Sequence, residues 1–75
     1  MPHPLEYDRH AMALAGIADD RLIDPFGPLA TQHEQLIRAY LWVKANTAYD
    51  EQTGSTSYPS VAGMTEHWDD IISGD

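Results

Sequence analysis

The sequence predicts an all-α fold, a small domain of three helices around one core. Two segments with a helical repeat of apolar residues and one run of strong helix formers support this prediction. We expect helices over residues 4–18, 28–48 and 60–73, with a short helical turn near residues 20–23. Seventy-five residues make one domain, residues 1–75, and leave no room for a second.

The first helix begins with favourable residues and continues with one apolar face. Pro4 suits the first position of a helix, and Glu6 and Asp8 suit its positive end. The face consists of Tyr7, Ala11, Leu14 and Ala18, with His10 and Ile17 beside it. We therefore expect this face to pack on the central helix.

Two prolines end the first helix and separate it from the next. Residues that precede proline are pushed out of the α region, so the chain cannot continue as a helix through Asp24-Pro25 or Gly27-Pro28. Phe26 lies between these breaks. We expect its ring to be buried where the first helix meets the central one.

The segment from Pro28 to Thr47 has the clearest amphipathic pattern in the chain. At about 100° per residue, the same broad sector contains Val43, Leu36, Leu29, Tyr40, His33, Ile37, Ala30 and Leu41. Pro28 and the capping-box spacing of Thr31 and Glu34 mark its start. We expect this apolar sector to face the core.

The chain after Thr47 allows two interpretations. A short hairpin that pairs Thr47–Tyr49 with Thr56–Tyr58 is one of them, but an isolated two-stranded hairpin is marginal in water. We favour the other interpretation, in which the helix continues to residue 48 and a polar loop covers residues 50–59.

The last segment has a narrow apolar stripe. The stripe consists of Val61, Met64, Trp68, Ile71 and Ile72. Ser60 suits the N-cap, and Gly74 suits the left-handed turn that ends a helix. In one continuous helix, Asp69, Asp70 and Asp75 would crowd the negative end, where carboxylates are disfavoured.

The charge of the chain limits the classes of partner that we expect it to bind. Twelve acidic residues against four basic ones give a formal net charge of −8, and no Lys or Arg follows Lys44. Nucleic acids and anionic membranes are held by Lys and Arg, so we predict that the protein binds neither directly. A basic protein surface would attract this chain. We expect a cytoplasmic protein, because the N-terminal residues do not resemble a signal peptide and no apolar run is long enough to span a membrane.

The sequence offers little support for catalysis or for metal binding. It has no cysteine, no G-x-S-x-G motif and no glycine-rich phosphate loop. His3, Glu6 and His10 share a helical face, but this spacing is far less specific than a zinc signature. We therefore predict no enzyme, no cofactor and no metal site.

Recognition of another protein is the better hypothesis. Trp42 falls on the polar side of the central helix, one turn after Arg38, and is either covered by the C-terminal segment or exposed as an anchor for a partner. The predicted partner-binding residues are Arg38, Trp42, Asp50, Glu51, Glu66, Asp69 and Asp70.

Two functions follow from these residues. The first is a small acidic protein that regulates or inhibits a partner by covering a basic surface, such as one that holds nucleic acid. The alternative is an accessory or assembly subunit of a larger complex, such as a multisubunit enzyme or a virion, which binds through apolar area around Trp42 and Tyr40. A homo-oligomer is also compatible with the sequence.

Overall fold

The computed structural model describes the backbone of residues 4–74 and the side chains of residues 8–74. This part of the chain is mostly helical, with a small two-stranded sheet. The elements are α1 (Pro4–Arg21), α2 (Leu29–Ala45), β1 (Ala48–Asp50), β2 (Ser55–Ser57), α3 (Val61–Glu66) and α4 (Trp68–Ser73). The broadly all-α prediction is confirmed, but four helices and a hairpin replace the three predicted helices and the polar loop.

The first helix is longer than predicted. It continues to Arg21, and the backbone amides of Leu22 and Ile23 both donate to the carbonyl of Ala18, at 2.8 and 3.0 Å. The separate turn expected near residues 20–23 is therefore wrong, because these residues complete the end of α1. Ile23 is buried there.

The connection between α1 and α2 turns Phe26 outward. The prolines end the helix as expected, and the Asp24 carboxylate accepts a hydrogen bond from the amide of Phe26 at 2.9 Å. This local turn leaves Phe26 95% exposed. The prediction that its ring is buried at the corner is wrong.

The core lies mainly between α1 and α2 and is rich in alanine. The apolar face predicted for α1 is confirmed at Ala11, Leu14 and Ala18, while the side chain of Tyr7 is outside the described residues. Small side chains let two helices approach closely. The buried residues are Ala11, Leu14, Ala15, Ala18, Ile23, Ala39, Val43, Met64 and Ile71.

Only part of the predicted apolar sector of α2 faces the core. Ala39 and Val43 are fully buried, whereas Leu29, Ile37 and Leu41 are 82%, 44% and 55% exposed. Ala39 and Leu41 are two residues apart and therefore lie on nearly opposite sides of the helix. Because α1 covers only one strip of α2, the other part of the predicted apolar sector remains open.

The start of α2 also differs from the prediction. The helix begins at Leu29, with Pro28 as the N-cap and no side chain in the capping role. Thr31 lies inside the first turn, so the proposed capping box does not form. Instead, the Gln32 side chain donates to the carbonyl of Gly27 at 2.8 Å.

A hairpin follows α2, where we favoured continued helix. Thr47 donates its hydroxyl to the carbonyl of Val43, which occupies a terminal acceptor of the helix. The two strands then pair antiparallel, with Tyr49 opposite Thr56. Gly54 supplies the positive φ of 70° that the turn requires. The unfavoured interpretation is thus nearer the structure, although the paired residues differ by one position at each end.

The predicted C-terminal helix is interrupted at His67. The Ser60 hydroxyl accepts a hydrogen bond from the amide of Gly63 and caps α3, and Gly74 ends α4 in the left-handed conformation, so both predicted end signals are confirmed. The break at His67 makes Asp69 and Asp70 the first turn of a new helix. They therefore lie at a positive helix end and not at the negative one. Asp75 is outside the described residues.

Met64 and Met12 offer a matched test of this packing, since they are 1% and 65% exposed. We expect Met64→Ala to lower the free energy of unfolding by about 2–5 kcal/mol, because it leaves a cavity in a small core. Met12→Ala should change it by less than about 0.5 kcal/mol. Urea unfolding of the two variants checks this, and equal losses would contradict the described core.

Candidate partner-binding groove

An open groove lies between α2 and α4. It encloses about 610 Å³. Its floor is a row of α2 residues spaced three or four apart, so that they share one side of the helix. We call this row the open face; it consists of Ala30, His33, Ile37, Leu41 and Ala45. Asp70, Ile71 and Gly74 of α4 also line the groove. The groove is thus a largely apolar surface that also carries two carboxylates, of Glu34 and Asp70, and the guanidinium of Arg38.

Three of the predicted partner-binding residues meet in this groove. Arg38 and Trp42 lie one turn apart on α2, and Asp70 of α4 is far from both in the sequence, yet all three line it. Trp42 is half-buried and packs against the core, with its ring beside Gly63 and 6.2 Å from the ring of His67. The C-terminal segment therefore covers part of Trp42, and one edge of its ring remains available to the groove.

Arg38 joins α2 to the end of α4. Its guanidinium donates to the Glu34 carboxylate, at 2.7 Å from Nη2 and 3.2 Å from Nε. The same group occupies the space that a side chain at Gly74 would need. A cation suits this position because the carboxyl end of a helix carries partial negative charge. The charge of Arg38 is thus already balanced within the chain.

Lys44 is balanced in the same way on the other side of the open face. It follows Leu41 by three residues, and its ammonium lies 3.3 Å from the Asp8 carboxylate and 5.3 Å from the centre of the Tyr40 ring. The Tyr40 hydroxyl also donates to Asp8 at 2.9 Å. These contacts tie α1 to α2 and leave neither neighbouring cation free for a partner.

The contacts around Asp8 shift three pKa values. The Tyr40 hydroxyl and then the Lys44 ammonium favour the carboxylate, so the pKa of Asp8 lies below its ordinary value. The hydrogen bond to Asp8 raises the pKa of Tyr40, and it also raises the pKa of Lys44. All three groups therefore keep their neutral-pH protonation states in the folded protein.

The remaining predicted acids are distributed over two regions. Glu66 ends α3 and Asp69 lies next to Asp70 in α4; all three are exposed, and within residues 4–74 they form no ion pair with Lys or Arg. Asp50 and Glu51 lie on the hairpin and do not line the groove. The C-terminal acids thus form one exposed acidic region on α3 and α4, and the hairpin acids are separate from it.

The main apolar constituents of the groove, Ile37 and Leu41, are not among the predicted partner-binding residues. Ile37 and Leu41 were assigned to the core because they belong to the broad apolar sector of α2. That sector is wider than the stripe of about 100° that a helix needs to pack on one neighbour. Its width was the available signal that α2 has a second apolar side.

The proposed histidine face is only partly described. His3 and the side chain of Glu6 are outside the described residues, and His10 lies 2.8 Å from the carbonyl of Pro59, with its ring 4.4 Å from that of Tyr58. Among the described side chains, no group of three or more His, Asp or Glu is arranged to hold a metal ion. None of the helices in residues 4–74 is both long and apolar enough to cross a membrane.

Comparisons with family models, with curated proteins and with solved structures find no match to this chain.

The Asp8 contacts predict how stability depends on pH. Because the pKa of Asp8 is lowered by folding, its stabilising effect is complete above the pKa of the unfolded carboxyl, near 3.8, and is lost as the pH falls through the lower folded value. We expect the difference in unfolding free energy between wild type and Asp8→Asn to shrink as the solution is acidified.

Urea unfolding from neutral pH to about pH 2 checks this expectation. Tyr40→Phe should weaken the same acid dependence, because it removes the hydroxyl whose hydrogen bond contributes most to the lowered pKa of Asp8. Tyr49→Phe, on the hairpin, is the control and should leave it unchanged. A constant difference between wild type and Asp8→Asn at all pH values would show that the contact is not formed.

Proposed function

We propose that this protein is a small acidic binding protein that regulates or inhibits a protein partner by covering a basic surface, including a surface that holds nucleic acid. The supporting observation is the distribution of charge. Two of the four Lys and Arg residues are engaged by acids of the same chain, while Glu66, Asp69 and Asp70 are exposed and have no ion pair among the side chains of residues 8–74.

The remaining basic residues do not offset this acidic region directly. Arg9 and Arg21 belong to α1, and the C-terminal part of the chain from residue 45 has no Lys or Arg at all. Carboxylates on short helices present their charge from a regular backbone, as phosphates do along a nucleic acid. Such a surface speeds the encounter with a basic partner and competes with other anions for it.

Reversal of the charge on α4 tests this proposal. Asp69→Lys with Asp70→Lys should weaken capture of the partner from native lysate by about tenfold or more at low salt. The matched control is Asp19→Lys with Asp20→Lys, an adjacent exposed pair on α1 that changes the net charge equally. The control should retain the partner, because its site lies outside the acidic region.

Two further measurements make this test decisive. Asp69→Asn with Asp70→Asn removes the charge without placing cations at a helix start, and circular dichroism confirms that each variant is folded. The captured protein should be basic and should be released in high salt, since screening weakens exposed charge pairs. Equal retention by the α4 variant and by its α1 control would refute the proposal.

A second candidate function is an accessory or assembly subunit of a larger complex, and the open face favours it. Trp42 and Tyr40, the residues first considered for this role, pack against the core. The exposed apolar side chains of Ile37 and Leu41 take their place in the proposal. An exposed apolar face of this kind is a common feature of protein interfaces.

The two candidates differ in their response to salt and to substitution. An accessory subunit should keep its partner in high salt and lose it on Leu41→Asp, while reversal of Asp69 and Asp70 should have little effect. Salt-sensitive capture that depends on the α4 acids would instead support the acidic binding protein. Parallel washes at low and high salt compare all variants in one experiment.

A further inference from the structure

We propose that the groove between α2 and α4 binds an amphipathic helix of the partner, with the apolar side of that helix on Ile37 and Leu41 and a Lys or Arg of its flank at Asp70. This inference rests on the proposed function, since it names the part of a basic protein that docks at this surface.

The shape of the groove favours a helix. Its open face runs from Ala30 to Ala45, and 15 residues of α helix extend over about 22 Å. A third helix can pack against two others when its side chains enter the spaces between theirs. Within the described residues, the groove is lined by α2, by α4 and by Gly74 at the end of α4, and the hairpin strands do not contribute to it. An extended peptide would therefore find no strand edge here with which to pair.

The floor of the groove requires an apolar partner. Leu41 is 55% exposed and Ile37 44% exposed, and small residues, Ala30 and Ala45, lie at the two ends of the row. Apolar residues at a spacing of three and four on the docked helix match this arrangement.

The charges around the groove favour a basic helix over a second copy of this chain. Arg38 is paired with Glu34 and Lys44 with Asp8, so the carboxylate of Asp70 is left without an ion pair in the described chain. A second copy would bring the same pairs and another formal charge of −8. A helix with Lys or Arg beside its apolar stripe supplies a cation for Asp70 and makes the complex less negative than this chain alone.

Designed peptides test this proposal with the full chain. The probe is a helix-forming peptide of about 18 residues with a leucine stripe and lysines along its flanks. A matched peptide carries glutamate at every lysine position. Titration of each peptide into isotope-labelled protein, followed by amide NMR, locates the site and gives the affinity.

We expect the basic peptide to shift the amides of Ile37, Leu41 and Asp70 and to bind about tenfold more tightly than the acidic peptide. Leu41→Asp should weaken binding of the basic peptide by a similar factor. The control is Met12→Asp, an exposed apolar position on α1, and it should bind as wild type does. Asp70→Asn should reduce the preference for the basic peptide without preventing binding of the acidic one.

Three outcomes would overturn the proposal. They are shifts confined to residues outside the groove, equal binding of the two peptides, and a wild-type dimer in sedimentation equilibrium that Leu41→Asp dissociates. The last outcome would show that a second copy occupies the groove. If the groove fails but reversal of Asp69 and Asp70 still abolishes capture, the proposed function stands without it. If the basic peptide binds in the groove but capture of the partner does not depend on Asp69 and Asp70, the proposed function is wrong and the groove proposal stands.

Discussion

The close contact between α1 and α2 determines how the rest of this chain is arranged. Ala11, Ala18 and Ala39 are fully buried in it, and their small side chains let the helices pack along a narrow strip. The Asp8 contacts with Tyr40 and Lys44 fix the same pair of helices at the edge of that strip. Because one strip of α2 satisfies this packing, its opposite side is left apolar and uncovered. The groove is thus a consequence of how the core is built.

The break at His67 determines which end of a helix dipole the C-terminal acids occupy. A continuous helix would place Asp69 and Asp70 near its negative end, whereas the new start at Trp68 places them where the helix dipole stabilises carboxylates. Arg38 adds a cation at the other end of α4, beside Gly74. The break therefore makes the acids compatible with the fold and fixes Asp70 at the edge of the groove.

Some local signals in the sequence predicted local structure correctly, whereas the capping box at Thr31 and the facing of α2 were predicted wrongly. The Ser60 cap, the Gly74 terminus and the apolar face of α1 depend on nearby residues, and all three are confirmed. The side of α2 that is buried depends on the width of its neighbour, which periodicity does not encode. For the same reason, three groove residues could be named from the sequence, but Ile37 and Leu41 could not be distinguished from core residues.

In the proposed binding mode, the groove and the acidic region contribute two different kinds of interaction. Exposed carboxylates act at a distance and raise the rate of encounter, but salt screens them and each contributes little once contact is made. Apolar burial acts only in contact and slows dissociation. Asp70 belongs to both regions, since it borders the open face and adjoins Asp69. A partner helix that is both basic and amphipathic can pair a cation with Asp70 and bury apolar side chains on the open face at the same time. A purely apolar helix lacks the first interaction, and a flat basic surface lacks the second.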